Sequence, residues 1–161
     1  MIILGLDPGL ASTGFGAILC GERSPVLRAA GHIATSPKDD ITRRLCHLYQ
    51  DVNQLITRVR PELVAIENVF SLVRYPKAGI VLGEVLGVIY LSACQHALPI
   101  LEITPKEVKN ALVGSGSAGK KQIKSATRRI LGIEELSSPH AADAVAVALT
   151  AYYRKSYPEP K

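Results

Sequence analysis

The chain has 161 residues and a net charge of +5; 47% of its residues are hydrophobic and 20% are charged. These values suit one globular domain with a core of its own, which we expect over residues 1–155, with a loose tail over residues 156–161. The most apolar segment, residues 78–91, carries Glu84 in its middle, so no membrane span is predicted. The absence of a signal-peptide pattern and three scattered cysteines, interpreted as reduced core thiols, indicate a cytoplasmic protein.

Positive charge is concentrated in one part of the chain. Between residues 106 and 129 a single acid, Glu107, stands among seven basic residues: Lys106, Lys109, Lys120, Lys121, Lys124, Arg128 and Arg129. A basic cluster on an otherwise nearly neutral domain is typical of proteins that bind a polyanion. A solvated helix face is the alternative explanation.

The first half of the chain predicts strands followed by a helix. Residues 1–6, 14–19 and 26–34 are short apolar runs with tight connections, which predict an antiparallel meander. Helical spacing then begins after a cap at Asp39 or Asp40 and ends before Pro61. The apolar run 63–66 predicts a strand buried on both faces, and it ends at Glu67 before a loop over residues 68–77.

A second helix, over residues 78–97, is apolar nearly all round, so both of its faces should be covered. Gly79, Gly83 and Gly87 recur every four residues along it, which allows another backbone to approach closely. We therefore predict that a partner subunit packs on this helix. The alternative is a helix enclosed within the monomer.

The second half of the chain predicts one more strand and three helices. The strand spans residues 99–103, and helices follow over residues 105–113 and 119–131. Ser138 and Pro139 cap and start the last helix, which should run to about Tyr153. The element order predicts an α/β fold with a five-stranded mixed sheet flanked by helices.

Four polar residues lie at the ends of these elements. Asp7 and Glu67 each end a strand, while His140 and Asp143 share one face at the start of the last helix. Alone, each has a simpler explanation: a turn, a solvent-facing strand end or a helix-dipole contact. Together they form an oxygen-rich set suited to Mg²⁺ or Mn²⁺, with a neutral imidazole favouring Mn²⁺ slightly. Such a site beside a basic surface predicts a nuclease that uses two metal ions.

Four segments of the chain resemble those of a known family. The segments are Leu4-Gly-Leu-Asp-Pro-Gly-Leu-Ala, Ala65-Ile-Glu-Asn-Val-Phe, Val108-Lys-Asn-Ala-Leu-Val-Gly-Ser-Gly-Ser-Ala and His140-Ala-Ala-Asp-Ala. They are similar to the RuvC family of Holliday-junction resolvases, which has a ribonuclease-H-like fold. The resemblance implies a homodimer that binds four-way junction DNA and symmetrically nicks two strands of like polarity, leaving 5′-phosphate and 3′-hydroxyl ends.

The resemblance also implies roles for single residues. Asp7, Glu67 and Asp143 match the family's metal-holding carboxylates, and His140 stands where most members have a fourth carboxylate. Phe70 matches an aromatic residue inserted near the crossover, although a core Phe that anchors the loop is the alternative. The proposed DNA contacts are Phe70, Arg74, Tyr75, Lys77, Lys109, Lys120, Lys121 and Lys124. Mg²⁺ is the implied cofactor, two ions per site, and RuvA–RuvB is the implied branch-migration partner.

The glycine-rich run Gly114-x-x-x-x-Gly119-Lys120-Lys121 resembles a nucleotide-binding P-loop. A P-loop needs Ser or Thr after its Lys to hold Mg²⁺, and it follows a strand. Here residue 121 is Lys, and the preceding residues have helical spacing. We therefore expect the loop to approach a DNA phosphate instead.

Three other functions remain open from the sequence. One is a RuvC-like nuclease of ribosomal RNA maturation, which shares the first-strand motif. Another is a nucleotide binder of the sugar- or acetate-kinase type, although such proteins usually need two domains of this kind. The third is a catalytically inactive junction-binding module, against which the complete set of four polar residues argues.

Overall fold

The computed structural model describes residues 1–68 and 76–156. Five strands form one mixed sheet: β1 (Ile2–Asp7), β2 (Ser12–Cys20), β3 (Pro25–Ala34), β4 (Leu63–Glu67) and β5 (Ile100–Ile103). Their spatial order is β3-β2-β1-β4-β5. The first three strands form the predicted antiparallel meander, and β4 and β5 add parallel to β1. The predicted α/β mixed sheet is confirmed.

Five helices accompany the sheet within the described residues. They are α1 (Ile41–Val59), α2 (Pro76–Gln95), α3 (Pro105–Val113), α4 (Lys120–Leu131) and α5 (Pro139–Ser156). Asp40, one of the two predicted caps, accepts a hydrogen bond from the Arg43 N–H at the start of α1. Ser138 caps α5 as predicted, because its hydroxyl accepts from the Ala141 N–H.

Several element ends differ from the prediction by one to three residues, among them the start of α2 and the end of α5. Helix α2 begins at Pro76, two residues early, because Pro is well suited to a first helical position. Helix α5 continues to Ser156, so the residue predicted to open the tail is helical. Arg154 extends that last turn because its guanidinium donates to the Glu102 carbonyl and the Glu107 carboxylate. Residues 157–161, the rest of the predicted tail, lie outside the described residues.

Alternation along the strands divides the core into two layers. On one face of the sheet, Ile3, Leu63 and Ala65 pack with the apolar side of α5 and with parts of α3 and α4. On the other face, Leu4 and Leu6 pack against α1 and α2. The continuous apolar run of β4 is buried on both faces, as predicted.

Glycines let α5 lie very close to the central strands. A Cβ atom on Gly5 of β1 would stand 2.2 Å from the Ala144 carbonyl oxygen, and one on Gly14 of β2 would stand 2.1 Å from the His140 carbonyl oxygen. A Cβ on Gly16 would meet Val145 at 2.4 Å. The missing side chains therefore make room for the α5 backbone. Gly5 therefore serves the packing of α5 and leaves no room for a ligand on that side of β1.

The outer face of α2 is not covered by any of the residues 1–68 and 76–156 that the structure describes. Ile80 is 66% exposed and Leu91 is 52% exposed. By length and composition alone α2 could cross a membrane, which differs from the sequence expectation, and 22% of its most apolar stretch is buried. One such helix is weak evidence for a membrane protein. The described part of the chain therefore does not enclose both faces of α2, which was the alternative to cover by a partner subunit.

The three cysteines are free, as expected for reduced thiols. They are not core residues, however, because Cys46 and Cys94 are exposed and Cys20 is half-buried. Both exposed cysteines lie on surface positions of helices α1 and α2. The sequence prediction of core thiols was wrong on this point.

Candidate active site

The parallel pairing of β1 with β4 brings two carboxylates to one end of the sheet. Asp7 ends β1 and Glu67 ends β4, and the register pairs Leu6 with Ile66 directly before them. Residues two apart share a face of a strand, so both side chains lie on the α5 side with Ile3 and Ala65. This placement agrees with the expected position of a ligand site at the carboxyl ends of parallel strands.

The start of α5 adds the other two predicted residues. Nδ1 of His140 lies 3.2 Å from Oδ2 of Asp7. Asp143, three residues further along the same helix face, lies close enough to affect the pKa values of Asp7 and Glu67. The contact between Gly14 and the His140 carbonyl explains why the first turn of α5 can approach β1 so closely. All four predicted residues are therefore brought together.

The electrostatics of the site reflect crowded negative charge. Burial raises the pKa of Asp7 above its ordinary value, and its hydrogen bond with His140 opposes this shift. Burial raises the pKa of Glu67 to about 7, with further contributions from the charges of Asp7 and Asp143. Lys120 partly offsets them, since its Nζ lies 3.6 Å from Oδ2 of Asp143. A divalent cation would relieve this repulsion.

The donor chemistry of the site fits such a cation. Three carboxylates and one imidazole are ligands that Mg²⁺ and Mn²⁺ accept. Within residues 1–68 and 76–156, no three His, Cys, Asp or Glu side chains are already arranged around one metal position. The Asp7–His140 contact instead occupies one donor atom on each residue. The site residues therefore fit a divalent cation in the type and the charge of their donor atoms.

A hydrogen-bonded turn follows Asp7. The Thr13 hydroxyl donates to the Gly9 carbonyl at 2.8 Å, and the Gly9 N–H donates back to Thr13 at 3.3 Å. The buried Thr35 hydroxyl donates to the Leu10 carbonyl and accepts from Nε of Arg44 at 2.9 Å. These bonds hold the chain directly after Asp7. A Cβ atom on Gly9 would meet the Ser12 carbonyl, so Gly9 serves the turn and not a ligand.

The predicted DNA-contacting residues are distributed around this site. Lys109 and Lys120 share a cavity wall with Glu67 and Asp143. Lys121 and Lys124 are exposed on α4, and Lys77 is exposed in the first turn of α2. Three predicted contacts lie outside the described residues: Phe70, Arg74 and Tyr75. The structure thus places the described lysines on the surface, where a polyanion can reach them.

The glycine loop does not have the setting of a P-loop. Helix α3 precedes it and ends at Gly114, which adopts a left-handed conformation with φ of 77°. Gly119 is the N-cap of α4, and its N–H is satisfied by the side chain of Gln122. A strand would lead into a nucleotide-binding loop. The structure therefore supports the sequence argument against an ATPase loop.

The sequence analysis missed a group of polar side chains beside Glu67. Asn68 donates to Oε2 of Glu102, and the Tyr90 hydroxyl donates to Oε1 of the same carboxylate at 2.7 Å. The Asn68 N–H also donates to the Ile103 carbonyl at 2.8 Å. Three elements, β4, β5 and α2, thus meet at one carboxylate next to the candidate site. The sequence signal that could have suggested this group is the outward position of Glu102, an acid in the short strand β5.

The glycines predicted to lie at a subunit interface differ from the glycines that pack against α5. The predicted interface residues Gly79, Gly83 and Gly87 all lie on α2. A Cβ atom on Gly83 or Gly87 would meet no atom of the described residues within 4 Å. These two glycines therefore face open space, in contrast with Gly5 and Gly14.

Comparisons with known proteins identify the family of the chain. The family model for the crossover junction endodeoxyribonuclease RuvC matches residues 3–151. A RuvC from Gloeobacter violaceus is 41% identical over 95% of this chain and 88% of its own length, and one from Moorella thermoacetica is 40% identical over 92% and 89%.

Solved structures give the same result. The Thermus thermophilus RuvC structure matches with a TM-score of 0.88 and 32% identity, over 97% of this chain and 96% of that one. The same protein in complex with a Holliday junction substrate matches with a TM-score of 0.87 and 30% identity, over the same shares of the two chains. The comparisons do not support the ribosomal RNA nuclease, the nucleotide binder or the inactive module. The chain belongs to the RuvC family of crossover junction endodeoxyribonucleases, with the ribonuclease-H-like fold of that family.

Proposed function

We propose that this protein is a structure-specific endonuclease that resolves four-way DNA junctions by paired, symmetric nicks in recombination and repair. The observation that carries this proposal is the close grouping of Asp7, Glu67 and Asp143, in which burial, with further contributions from the charges of Asp7 and Asp143, raises the pKa of Glu67 to about 7. A site with this much negative charge cannot receive a phosphodiester without cations. The fold and family that surround the site are those of junction nucleases.

Mg²⁺ is the proposed cofactor, two ions per site, and Mn²⁺ should also support activity. Asp7, Glu67, Asp143 and His140 would hold the ions. When bound, such ions lower the pKa of a water molecule and neutralise the charge that develops on the phosphate. The oxygen of the water attacks phosphorus, the bond from phosphorus to O3′ breaks, and O3′ takes up a proton. The products carry 5′-phosphate and 3′-hydroxyl ends.

The residues of this chain contribute binding and proton transfer. Nδ1 of His140 can hold a proton against Oδ2 of Asp7, from which it lies 3.2 Å away. The ammonium of Lys120, beside Asp143, is 90% exposed and can therefore also pair with a phosphate oxygen. Lys109 stands on the same cavity wall. Together these cations would hold the cleaved strand against the carboxylates.

The basic segment extends this surface away from the carboxylates. Lys121 and Lys124 lie on the exposed side of α4, after the α4 N-terminus. Phosphate contacts by such residues supply affinity and orientation without reading the base sequence. We propose that this side of the molecule carries an arm of the junction, with Lys77 and the residues Phe70, Arg74 and Tyr75 nearer the crossover.

Two nicks of like polarity require two active sites, so we propose that the protein acts as a homodimer. The exposed apolar face of α2, with Ile80 and Leu91, is the surface that a second copy would cover. Gly83 and Gly87 leave space for its backbone. Free, exposed cysteines suit a reducing compartment, and we propose a cytoplasmic location with RuvA–RuvB as the branch-migration partner.

The test is cleavage of a synthetic four-way junction beside a linear duplex of equal length, in Mg²⁺ and in Mn²⁺. We expect paired symmetric nicks in the junction alone. Asp7→Asn should abolish nicking while junction binding persists. Asp51→Asn is the matched control, because it neutralises another Asp that contacts a His, His47 at 3.1 Å on α1, which packs on the other face of the sheet. Equal cleavage of the linear duplex would contradict the proposal.

A further inference from the structure

A cavity of 590 Å³ opens directly beside the carboxylates. Four charged residues contribute to its lining: Glu67, Lys109, Lys120 and Asp143. The cavity lies between the ends of β4 and α5 on one side and helices α3 and α4 on the other. Its volume falls in the range of about 300–1,000 Å³ that is usual for pockets that hold small organic groups.

Much of the lining of this cavity is apolar. Five apolar side chains from α3, α4, α5 and the glycine loop contribute to it: Pro105, Val108, Ala118, Ile123 and Ala146. Val108, Ala118 and Ala146 are buried. Neither a metal ion nor a phosphate gains from apolar surface, because both need oxygen or nitrogen partners. The proposed reaction therefore uses only the charged part of the lining, and the apolar part calls for another occupant.

The cleaved strand itself supplies an occupant of suitable chemistry. A phosphodiester placed for cleavage beside Glu67 and Asp143 would carry its neighbouring nucleotides past the mouth of the cavity. The flat, weakly polar group on each nucleotide is the base, and leaving the stack costs least where pairing is already interrupted, as at a crossover. The ammonium groups of Lys109 and Lys120, in the same lining, can pair with the phosphates that flank such a base.

From this arrangement we propose that the cavity receives one nucleobase of the cleaved strand, from a nucleotide that adjoins the cleaved phosphodiester. The proposal rests on the junction-cleaving function proposed above. Apart from the carboxylates and lysines, Ser117 is the lining residue with a polar side chain, and its hydroxyl is held by that of Ser115 at 2.9 Å. This hydroxyl can contact the edge of a base. The cavity is therefore a determinant of the sequence at which the enzyme nicks.

The experiment narrows the cavity and then removes the base. Ile123→Phe adds bulk to the wall, whereas Ile130→Phe adds the same bulk on α4, against the same core cluster, outside the cavity. Each variant is assayed on a junction with normal bases and on junctions with an abasic site on either side of the cleaved phosphodiester. We expect Ile123→Phe to nick the normal junction about tenfold more slowly, and to regain the wild-type rate on one abasic junction.

The control Ile130→Phe should nick all of these junctions at the wild-type rates. An equal slowing by Ile123→Phe on normal and abasic junctions would overturn the proposal, as would no slowing at all. Ala118→Val is a milder second variant for the same comparison, in case Ile123→Phe does not fold.

A second measurement does not depend on cleavage. Asp7→Asn protein is bound to a junction that carries 2-aminopurine beside the cleaved phosphodiester. Fluorescence should rise as the base leaves the stack, and it should rise less when Ile123→Phe is added. Equal signals with and without Ile123→Phe would overturn the cavity proposal. Failure of the wild-type protein to nick any junction would instead contradict the proposed function, and the fluorescence assay separates the two.

Discussion

At the scale of single residues, Gly14 controls the distance between β2 and the start of α5. A side chain there would collide with the His140 carbonyl, which belongs to the helix turn that carries two of the four site residues. The same turn places His140 against Asp7. The candidate site thus depends on a residue that contributes no chemistry of its own.

Replacing Gly14 with Ala should therefore displace the first turn of α5. We expect a loss of about 1–3 kcal/mol in the free energy of unfolding, as is usual for overpacking, together with a large loss of junction cleavage. Gly16→Ala is the matched control, because its Cβ would collide with Val145 of the same helix, further from His140. Chemical denaturation and nicking assays give the two readouts. Equal loss of nicking in both variants, at equal stability, would contradict a specific role for Gly14.

The carboxylate of Glu102 is a second residue that acts through others. It accepts from Asn68, which directly follows Glu67, and from Tyr90 on α2. Burial raises the pKa of Tyr90 to about 12, and the bond to Glu102 adds to the shift, so Tyr90 remains a donor at neutral pH. Glu102 is in this way a positioning residue for the end of β4.

A double-mutant cycle tests this role. Asn68→Ala should lower the maximal nicking rate more than junction affinity in the wild-type background, because Glu67 loses its neighbouring anchor. The same change should have little effect when Glu102→Ala is already present, since the hydrogen bond has already been removed. Asn110→Ala, an exposed Asn outside this group, is the control. Additive effects of Asn68→Ala and Glu102→Ala would show that the two residues act independently.

At the scale of elements, helix α3 is fixed by its first turn. Thr104 and Glu107 form a reciprocal capping box, and Arg154 of α5 contacts Glu107 at 3.2 Å. Partial burial works against ionisation of Glu107, but the hydrogen bonds from the Thr104 N–H and hydroxyl, with the charge of Arg154, lower its pKa below 4.5 overall. This contact joins the helix that carries Lys109 to the helix that carries Asp143.

The lowered pKa of Glu107 predicts a pH-dependent contribution to stability. The contribution is complete above the unfolded-state pKa and is lost as the pH falls through the lower folded-state pKa. Glu107→Gln should therefore be less stable than wild type at pH 7, and this difference should shrink in acid, below about pH 4. Urea denaturation at both pH values measures it, with Glu135→Gln at an exposed position as the control. A difference that is constant with pH would exclude the charge of Glu107 as its cause.

Element order and most element ends could be predicted because they depend on local signals. Pro61, Ser138 and the helical spacing of α1 act within a few residues of where they stand. Asp7 and Glu67 could be grouped for a similar reason, since parallel strands end at the same edge. The role of Gly5 could not be predicted, because it depends on Ala144, which is far away in sequence. The hydrogen bonds from Tyr90 and Asn68 to Glu102 could not be predicted either, because these residues are also far apart in sequence.

At the scale of the whole molecule, the exposed face of α2 separates two kinds of glycine. The space beside Gly5 and Gly14 is occupied by other atoms of the chain, whereas Gly83 and Gly87 face open space among the described residues. A helix interior normally disfavours glycine by about 1 kcal/mol relative to alanine. Two such residues beside exposed Ile80 and Leu91 are therefore a cost that no contact among residues 1–68 and 76–156 offsets. Close approach of a second α2 backbone would offset it.

Gly83→Leu should have opposite effects on the monomer and on the dimer. The monomer should become more stable by up to about 1 kcal/mol, because Leu is the better helix former and its Cβ meets nothing within 4 Å. The dimer should dissociate, because the added side chain fills the space for the partner helix, and paired nicking should give way to single nicks or none. Sedimentation measures assembly, and Gln54→Leu on exposed α1 controls for the added apolar surface. An unchanged dimer of Gly83→Leu would show that the second copy packs elsewhere.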